Sequence, residues 1–252
     1  MTRKIALITG ASRGLGKSTA LHLAAQGVDI IGTYNSRADD AQAVAAEIEK
    51  LGGRAAMLQL DVGRIDGFKA FSEAVAKVLA TVFARERFDF LVNNAGVGVH
   101  ALFAETSEEQ FDQLLNVHFK GPFFLTQKLL PLLADGGRIV NISSGLARFS
   151  LPGYGAYAAM KGAMETLTRY QAKELGARGI SVNCLAPGAI ETDFGGGAVR
   201  DNQDLNTYVA ANTALGRAGL PDDIGGAIAL LLGDAGQWIT GQRIEASGGM
   251  FL

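Results

Sequence analysis

The chain has little of several residues on which other kinds of protein depend. Its 252 residues include one cysteine, so no internal disulfide can form. The three histidines do not join cysteines or acids at metal-ligand spacing, so we expect no catalytic metal. Cys184 lies in an apolar run, which indicates a buried small side chain rather than a nucleophile. These features favour a reducing, cytoplasmic location.

Strong charge of one sign and long apolar segments are also missing. A formal net charge of −2 and a pI near 5.9 argue against a nucleic-acid partner, which requires a basic surface. No apolar run approaches the roughly 18 residues of a spanning helix, so we expect no membrane partner. A strand pattern starts by Lys4 or Ile5, and we therefore expect no signal peptide.

Short apolar runs alternate with helical patterns along the chain. Most runs are continuously apolar, as parallel strands covered on both faces require, and the alternation predicts right-handed crossovers. We predict a single domain over residues 1–252: an α/β fold with a doubly wound, mostly parallel seven-stranded sheet of Rossmann type and helices on both faces. The predicted strands are Ile5–Ile8, Val28–Gly32, Ala55–Leu60, Phe88–Val92, Arg138–Ile142, Ile180–Leu185 and Arg243–Ala246.

The helix after the second run has a readable start and stop. Ser36 is the predicted N-cap, with Asp39 as its capping-box partner. The apolar face is predicted to continue to Leu51, and Gly52 and Gly53 end the helix.

The first strand ends in a turn that contains Gly10, Gly14 and Gly16, and an Ala-rich helical pattern follows. Gly10 permits a sharp turn, and the first turn of the helix offers free N–H groups that suit a pyrophosphate. The spacing G-x-x-x-G-x-G differs from the commoner dinucleotide fingerprint. A glycine-rich connection without a ligand is therefore the alternative.

Four later motifs each follow an apolar run or lie close behind one. They are Asn93-Asn94-Ala95-Gly96, Ser143-Ser144, Tyr157-Ala158-Ala159-Met160-Lys161 and Pro187-Gly188. In this order, and together with the glycine turn, they resemble the short-chain dehydrogenase/reductase family. The resemblance covers Lys4 to about Met250 and is closest by motif to 3-oxoacyl-carrier-protein reductase-like members.

Tyr157 and Lys161 are four residues apart, so they share one face if the segment is helical. A nearby positive charge favours a phenolate, and we predict that Lys161 lowers the pKa of Tyr157 from its usual value of about 10. Tyrosine then becomes a usable acid and base near neutral pH. Taken alone, such a pair is more often structural.

The resemblance implies that Asn116, Ser144, Tyr157 and Lys161 form a catalytic tetrad. Tyr157 exchanges a proton with the substrate oxygen, Ser144 hydrogen-bonds the same oxygen, and Lys161 also holds the nicotinamide ribose. Asn116 kinks its helix and links Lys161 to solvent through a water, with a satisfied core amide as the alternative. We interpret His118 as a packing or surface residue.

The choice of cofactor depends on the end of the second strand. Tyr34 stands where an NAD enzyme places an acid for the ribose hydroxyls. Asn35 and Ser36 can donate to a phosphate, Arg37 can add a charge-assisted bond, and Arg13 approaches the same phosphate in NADP-preferring members. We predict NADP, with two solvated surface cations as the alternative.

Further cofactor contacts follow from the resemblance. Asp61 would contact the adenine, with helix capping as the alternative, and Ile190 and Thr192 would contact the nicotinamide carboxamide. The predicted cofactor-binding residues are Gly10, Ser12, Arg13, Gly14, Leu15, Gly16, Asn35, Ser36, Arg37, Asp61, Val62, Asn94, Ala95, Gly96, Tyr157, Lys161, Pro187, Gly188, Ile190 and Thr192.

The family has a substrate lid where this chain has residues 193–213, and a surface loop without function is the alternative. The predicted substrate contacts are Ser144, Leu146, Phe149, Leu151, Tyr154 and Phe194. We also expect a homotetramer, with neighbours packed on the helix that carries Phe119, Phe123, Phe124, Leu125 and Leu129.

These features predict an NADP-dependent oxidoreductase that acts on a small or medium carbonyl or secondary alcohol. A 3-oxoacyl-carrier-protein reductase is the first alternative. Such enzymes often carry a basic cluster before the fifth strand, whereas this chain reads Leu133-Ala134-Asp135-Gly136. A non-enzymatic NADP-binding regulator and an isomerase or dehydratase are the more remote alternatives.

Overall fold

The protein, described here by a computed structural model over residues 3–252, contains one seven-stranded sheet in the order β3-β2-β1-β4-β5-β6-β7. Every pairing is parallel, so the doubly wound Rossmann-type prediction is confirmed. The strands are β1 Ile5–Ile8, β2 Asp29–Tyr34, β3 Ala55–Gln59, β4 Phe88–Asn93, β5 Leu133–Ile142, β6 Ser181–Pro187 and β7 Arg243–Ala246.

Helices cover both faces of the sheet. They are α1 Gly14–Ala25, α2 Ala38–Lys50, α3 Phe68–Val78, α4 Glu108–Leu115, α5 Gly121–Leu129, α6 Gly155–Leu175, α7 Ala198–Asp201, α8 Gln203–Ala211 and α9 Pro221–Leu232. Within residues 3–252, no helix is both long and apolar enough to cross a membrane.

The alternation of side chains along β1 divides the core into two layers. Ala6 and Ile8 pack with α1, α2 and α9 on one face, and Ile5 and Leu7 pack with α3 and α5 on the other. All four side chains are fully buried, which explains why the run is continuously apolar.

Two local predictions are wrong. Ser36 does not cap α2, because the helix starts one residue later than a Ser36 cap requires and Arg37 takes the cap position without a side-chain bond. Leu51 is 47% exposed, because α2 ends at Lys50 and Leu51 does not continue its buried face.

The fifth strand also begins earlier than predicted. Residues 133–137 belong to β5, since Leu133 pairs with Phe88 before a register shift in the ladder. Asp135 lies in this extension and pairs with Arg178. The position at which a basic carrier-binding cluster would precede the strand is therefore part of the strand itself.

The topology fixes where a ligand can bind. β1 and β4 are neighbours, and the strand order runs outward from them in opposite directions. In open α/β sheets, ligands bind beyond the carboxyl ends of the strands at such a switch point. Gly10 follows β1 and Asn94 follows β4, so the two predicted motifs meet there.

Candidate active site and cofactor cleft

The glycine turn is tied to the end of β4 by Asn94. The Nδ2 of Asn94 donates to the carbonyl oxygens of Thr9 at 2.8 Å and Gly10 at 3.1 Å. The backbone N–H of Ala95 donates to Thr9 Oγ1 at 3.0 Å. Asn94 therefore shapes the floor of the cleft from within the protein, and its predicted contact with a cofactor stays a prediction.

The glycines of the turn are required by geometry. Gly10 and Gly14 have φ of 68° and 54°, which side chains rarely adopt. A Cβ on Gly16 would lie 2.1 Å from the carbonyl oxygen of Gly10. The turn therefore brings backbone, rather than side chains, to the mouth of the cleft.

The start of α1 fits an anionic group. Arg13 occupies the cap position without capping the helix through its side chain, and the first turn contains no acid. The N–H groups at this end carry the positive end of the helix dipole. The pyrophosphate of a dinucleotide has the charge that this helix start accommodates.

The other predicted cofactor residues line the same edge of the sheet. A Cβ on Gly14 would meet Thr192 at 3.6 Å, so the glycine turn and the segment after β6 form two opposing lips. Ile190 forms a parallel bridge with Gly219, and Pro187 ends β6. Asp61 Oδ1 accepts from the N–H of Gly63 at 2.9 Å, which is a local turn rather than the predicted alternative of a helix cap.

The remaining residues that were predicted to bind the cofactor fall into two groups. Some are half-buried or exposed at the cleft, and others are packed into the surrounding structure. Ser12, Leu15, Asn35, Ser36 and Gly96 belong to the first group, whereas Val62 is buried and Gly188 packs against Ser247.

Helix α4 does not continue as a regular helix at Asn116. The chain forms a π-helical turn over Asn116–Lys120 before α5 begins at Gly121. The predicted interruption at Asn116 is therefore confirmed, and such turns frequently occur at functional sites. Ser107 starts the same helix with a capping box that includes Gln110.

Tyr157 and Lys161 lie on the buried face of α6, as predicted from their spacing, with exposed fractions of 7% and 5%. Lys161 Nζ lies 5.5 Å from the centroid of the Tyr157 ring and donates to the carbonyl oxygen of Ile142 at 2.8 Å. Ser144 caps the short turn after β5, where its Oγ accepts from the N–H of Leu146 at 3.2 Å. Three members of the predicted tetrad therefore meet beyond β5.

The predicted lowering of the Tyr157 pKa is wrong for the protein by itself. Burial raises the pKa of Tyr157 above its ordinary value, and the hydrogen bond with Ser144 opposes this only in part. Burial also lowers the pKa of Lys161 to about 8. The loss of water is the largest cause of both shifts, so the phenol is protonated at neutral pH.

Aromatic and apolar side chains cover Tyr157. The ring of Phe194 lies 5.7 Å from that of Tyr157, and Leu146 packs against the same cluster. Tyr154 packs edge-on against His100, at the half-buried rim.

Phe149 belongs to a different cluster. Its ring lies 4.8 Å from that of Phe251, and Leu151 is half-buried nearby in sequence. The structure thus brings Leu146 and Phe194, but not Phe149, against Tyr157.

His118, predicted to be a packing or surface residue, is a buried packing residue beside Tyr157. It is 1% exposed, its ring packs edge-on against Tyr157 at 5.0 Å, and its Nε2 lies 2.7 Å from the carbonyl oxygen of Val97. Gly96 leaves room for it, since a Cβ there would lie 2.8 Å from His118 Cε1. In a helix, residues two apart point to nearly opposite sides, so His118 and Asn116 do not share a face.

We expect His118 to make the fold sensitive to acid. Burial, and secondarily the charge of Lys161, lowers the pKa of His118 from 6.5 to about 3. Between these values the unfolded chain binds a proton and the folded chain does not, so stability falls as the pH is lowered. Each pH unit below 6.5 should cost about 1.4 kcal/mol, or about 2 kcal/mol by pH 5.

Urea titrations at pH 7 and pH 5 test this expectation. His118→Gln keeps a donor at similar reach and removes the titration, so it should lose less stability between the two pH values than the wild type. His100→Gln removes an exposed histidine and serves as the control. Equal losses for wild type and His118→Gln would contradict the assignment.

The two arginines predicted to hold a phosphate do converge. Arg13 Nη1 lies 2.8 Å and Arg37 Nη1 lies 3.7 Å from Oδ2 of Asp193. Arg37 also pairs with Asp40 at 3.2 Å, so this exposed acid is a partner of Arg37. The side chains of Arg13 and Arg37 are 47% and 54% exposed, respectively, at the mouth of the cleft.

Cys184 is fully buried in β6, as predicted, and burial raises the pKa of its thiol to about 11. Among residues 3–252, no group of three or more histidines, cysteines and acids is arranged to hold a metal ion.

Comparisons with known proteins cover nearly the whole chain. A family model described as enoyl-(acyl carrier protein) reductase matches residues 10–251. FrzI of Cladobotryum sp, named a short-chain dehydrogenase/reductase, is 38% identical over 254 residues, which cover 98% of this chain and 95% of FrzI.

Two solved structures agree with this fold in detail. LugOII, described as a promiscuous reductase that catalyses keto-reduction at C1 during lugdunomycin biosynthesis, is 38% identical with a TM-score of 0.94, over 100% of this chain and 99% of that one. The angucycline C-6 ketoreductase LanV, solved with bound NADP, is 36% identical with a TM-score of 0.93, over 98% and 95% of the two chains. The similarity therefore includes the cleft and the segment that follows β6.

Proposed function

Since the chain belongs to the short-chain dehydrogenase/reductase family, we propose that it is an NADPH-dependent ketoreductase in which Tyr157 is the general acid. The single observation that carries the role of Tyr157 is its position: a buried phenol beside Lys161 and Ser144, beyond the carboxyl end of β5. The cofactor is NADP, in keeping with an uncapped helix start and two converging arginines at the cleft.

In the proposed mechanism the protein positions the substrate oxygen and supplies a proton. Bound NADPH supplies the hydride. The Ser144 hydroxyl donates a hydrogen bond to the carbonyl oxygen, and the Tyr157 hydroxyl transfers its proton to that oxygen as the alcohol forms. Lys161 keeps positive charge beside the phenol. Asn116, at the π-helical turn, links Lys161 to solvent.

The protonated phenol is the form that carbonyl reduction requires. Because burial raises the pKa of Tyr157, the side chain holds its proton at neutral pH and acts as a donor. Oxidation of an alcohol would first require the phenolate. LanV and LugOII are keto-reducing enzymes, and on that similarity we propose reduction as the physiological direction.

The substrate is proposed to be a ketone with an apolar, ring-containing body. Leu146 and Phe194 border Tyr157 and offer apolar contacts. LanV and LugOII are keto-reducing enzymes, and LanV acts on angucyclines. A carrier-linked acyl substrate is the second candidate, because the matched family model is named for acyl-carrier-protein chemistry.

A panel of carbonyl compounds read by NADPH absorbance tests the proposal. Tetralones and other fused-ring ketones should be reduced faster than small aliphatic ketones and faster than 3-oxoacyl thioesters. Cofactor binding without turnover across the panel would favour a non-enzymatic regulator. Product formed without net NADPH consumption would favour an isomerase or dehydratase.

Residues 193–213 are proposed to close over the bound substrate. The segment carries α7 and α8 and begins with three consecutive glycines of positive φ, at positions 195–197. We expect slower hydrogen exchange there with NADP and a substrate analogue bound than in the free protein, because closure excludes water. Helix α3 serves as an internal reference, and equal exchange in both states would refute the lid.

We also propose a homotetramer, with α5 and α6 as the contact helices. Phe123, Phe124 and Tyr170 are 37%, 39% and 64% exposed, and such apolar surface favours contact with a neighbouring copy. Leu125 and Leu129 were predicted to belong to this surface. That prediction is wrong, because both are buried in the core. Light scattering at micromolar concentration should give a tetramer, and Phe124→Glu should weaken it; a stable wild-type monomer would refute the proposal.

The proposed location is the cytoplasm. The single cysteine is buried and makes no disulfide, which suits a reducing compartment. Cell fractionation with an antibody against the chain would test this placement.

A further inference from the structure

Three arginines hold one carboxylate at the mouth of the cleft. Oδ2 of Asp193 accepts a hydrogen bond from Arg13 and lies 3.7 Å from Arg37 Nη1. Oδ1 of the same residue accepts from Arg200. The Arg200 and Arg13 guanidiniums keep the pKa of Asp193 below its ordinary value, so the carboxylate is an anion across the working range.

We infer that Asp193 competes with the 2′-phosphate of NADP for Arg13 and Arg37, and that the phosphate thereby releases the start of the lid. The inference rests on the proposed function, which gives those two arginines to the phosphate. Both guanidiniums converge on a single oxygen atom, as they would on an oxygen of a phosphate.

The exchange is physically favourable in the direction of the phosphate. The pairs with Asp193 are exposed, and exposed ion pairs contribute little to stability. A phosphate monoester brings nearly two negative charges and three acceptor oxygens to the same donors. Once it is bound, the like charge of Asp193 is repelled.

Arg200 and a run of glycines connect Asp193 to the rest of the lid. Arg200, which also pairs with Asp201, keeps a hold on Asp193 from within the lid itself. Gly195 and Gly196 have positive φ, and a Cβ at either position would meet nothing within 4 Å, while the backbone of Gly195 packs closely against Gly98. Residues 193–201 are therefore expected to shift as a unit when Arg13 and Arg37 turn to the phosphate.

Asp193 therefore lowers the affinity for NADP, and its displacement by the 2′-phosphate moves the start of the lid. A cofactor without that phosphate leaves the Asp193 pairs intact. The presence of the phosphate, rather than of the adenosine, sets the position of the segment that follows Thr192.

Calorimetric titration with 2′,5′-ADP and 5′-AMP tests the competition without catalysis. Asp193→Asn should bind 2′,5′-ADP about three- to tenfold tighter than the wild type, with unchanged affinity for 5′-AMP. Asp201→Asn is the matched control, since Asp201 pairs with Arg200 and not with Arg13 or Arg37, and its affinity should stay within about twofold. Unchanged or weaker binding of 2′,5′-ADP by Asp193→Asn would overturn the inference.

Hydrogen exchange of the wild-type protein supplies an independent measurement. Saturating 2′,5′-ADP should change exchange in residues 194–201, and saturating 5′-AMP should not; identical exchange with the two ligands would overturn the release of the lid. The Arg13→Ala, Arg37→Ala double variant distinguishes a failure of the phosphate assignment from a failure of the competition by Asp193. If it binds 2′,5′-ADP as the wild type does, the phosphate assignment in the proposed function fails; if it loses binding while Asp193→Asn gains none, only the competition fails.

Discussion

Replacement of Tyr157 by phenylalanine is expected to lower kcat by about a hundredfold to ten-thousandfold, the usual contribution of a positioned general acid. Phenylalanine keeps the ring that packs against His118 and Phe194, so the fold and the cleft should persist. The hydroxyl is the only group removed, and the carbonyl oxygen then has no proton donor from the protein.

The measurement is steady-state reduction of a ketone that the wild type accepts, together with the dissociation constant for NADPH. The dissociation constant should change by less than about twofold, because the hydroxyl acts on the substrate. Tyr154→Phe is the matched control: the residue is half-buried against His100, and the kcat of this variant should fall by no more than a few-fold. Residual kcat above a few per cent in Tyr157→Phe would show that another group supplies the proton.

The sequence was sufficient for the sheet because the evidence for each strand is local. A parallel strand buried on both faces must be continuously apolar, and all seven runs form strands. The spacing of four residues between Tyr157 and Lys161 is also local, and it was enough to predict that they share one helical face. Boundaries were less secure: the register shift that draws Leu133 into β5 depends on its pairing with Phe88, which no local pattern contains.

The electrostatics of the site required the structure. From spacing alone, the charge of Lys161 is expected to lower the pKa of Tyr157. Burial of both groups reverses this result, because desolvation acts on each group separately and depends on the whole surrounding fold. His118 was interpreted as a packing or surface residue, and the sequence did not decide between the two, because its contact with Tyr157 joins the turn after α4 to α6.

The contacts of Asp193 at the mouth of the cofactor cleft also could not be predicted from the sequence. Sequence reasoning placed Arg13 and Arg37 near one phosphate, and the structure brings them to one point, although they are separated by the whole of α1 and β2. The carboxylate that they share comes from beyond β6, far along the chain. Long-range contacts of this kind follow from the strand order and not from any motif.

Removal of the Arg13 and Arg37 guanidiniums is expected to remove most of the preference for NADPH over NADH. The wild type should use NADPH with a kcat/KM at least about tenfold higher than NADH, because two charge-assisted bonds to the 2′-phosphate are lost with NADH. The pairs are exposed, so screening holds the preference well below what two buried bonds would give. In the Arg13→Ala, Arg37→Ala double variant, kcat/KM for NADPH should fall to near that for NADH.

The comparison of the two cofactors makes this result specific. Efficiency with NADH should change by less than about threefold, because NADH has no 2′-phosphate for either arginine to hold. Arg64→Ala removes an exposed arginine that pairs with Asp66, and it controls for the loss of surface charge. Increasing salt should narrow the wild-type preference and leave the double variant unaffected, since only the wild type has the charged contacts to screen. Equal efficiency of the wild type with NADPH and NADH would show that the end of β2 does not select the cofactor.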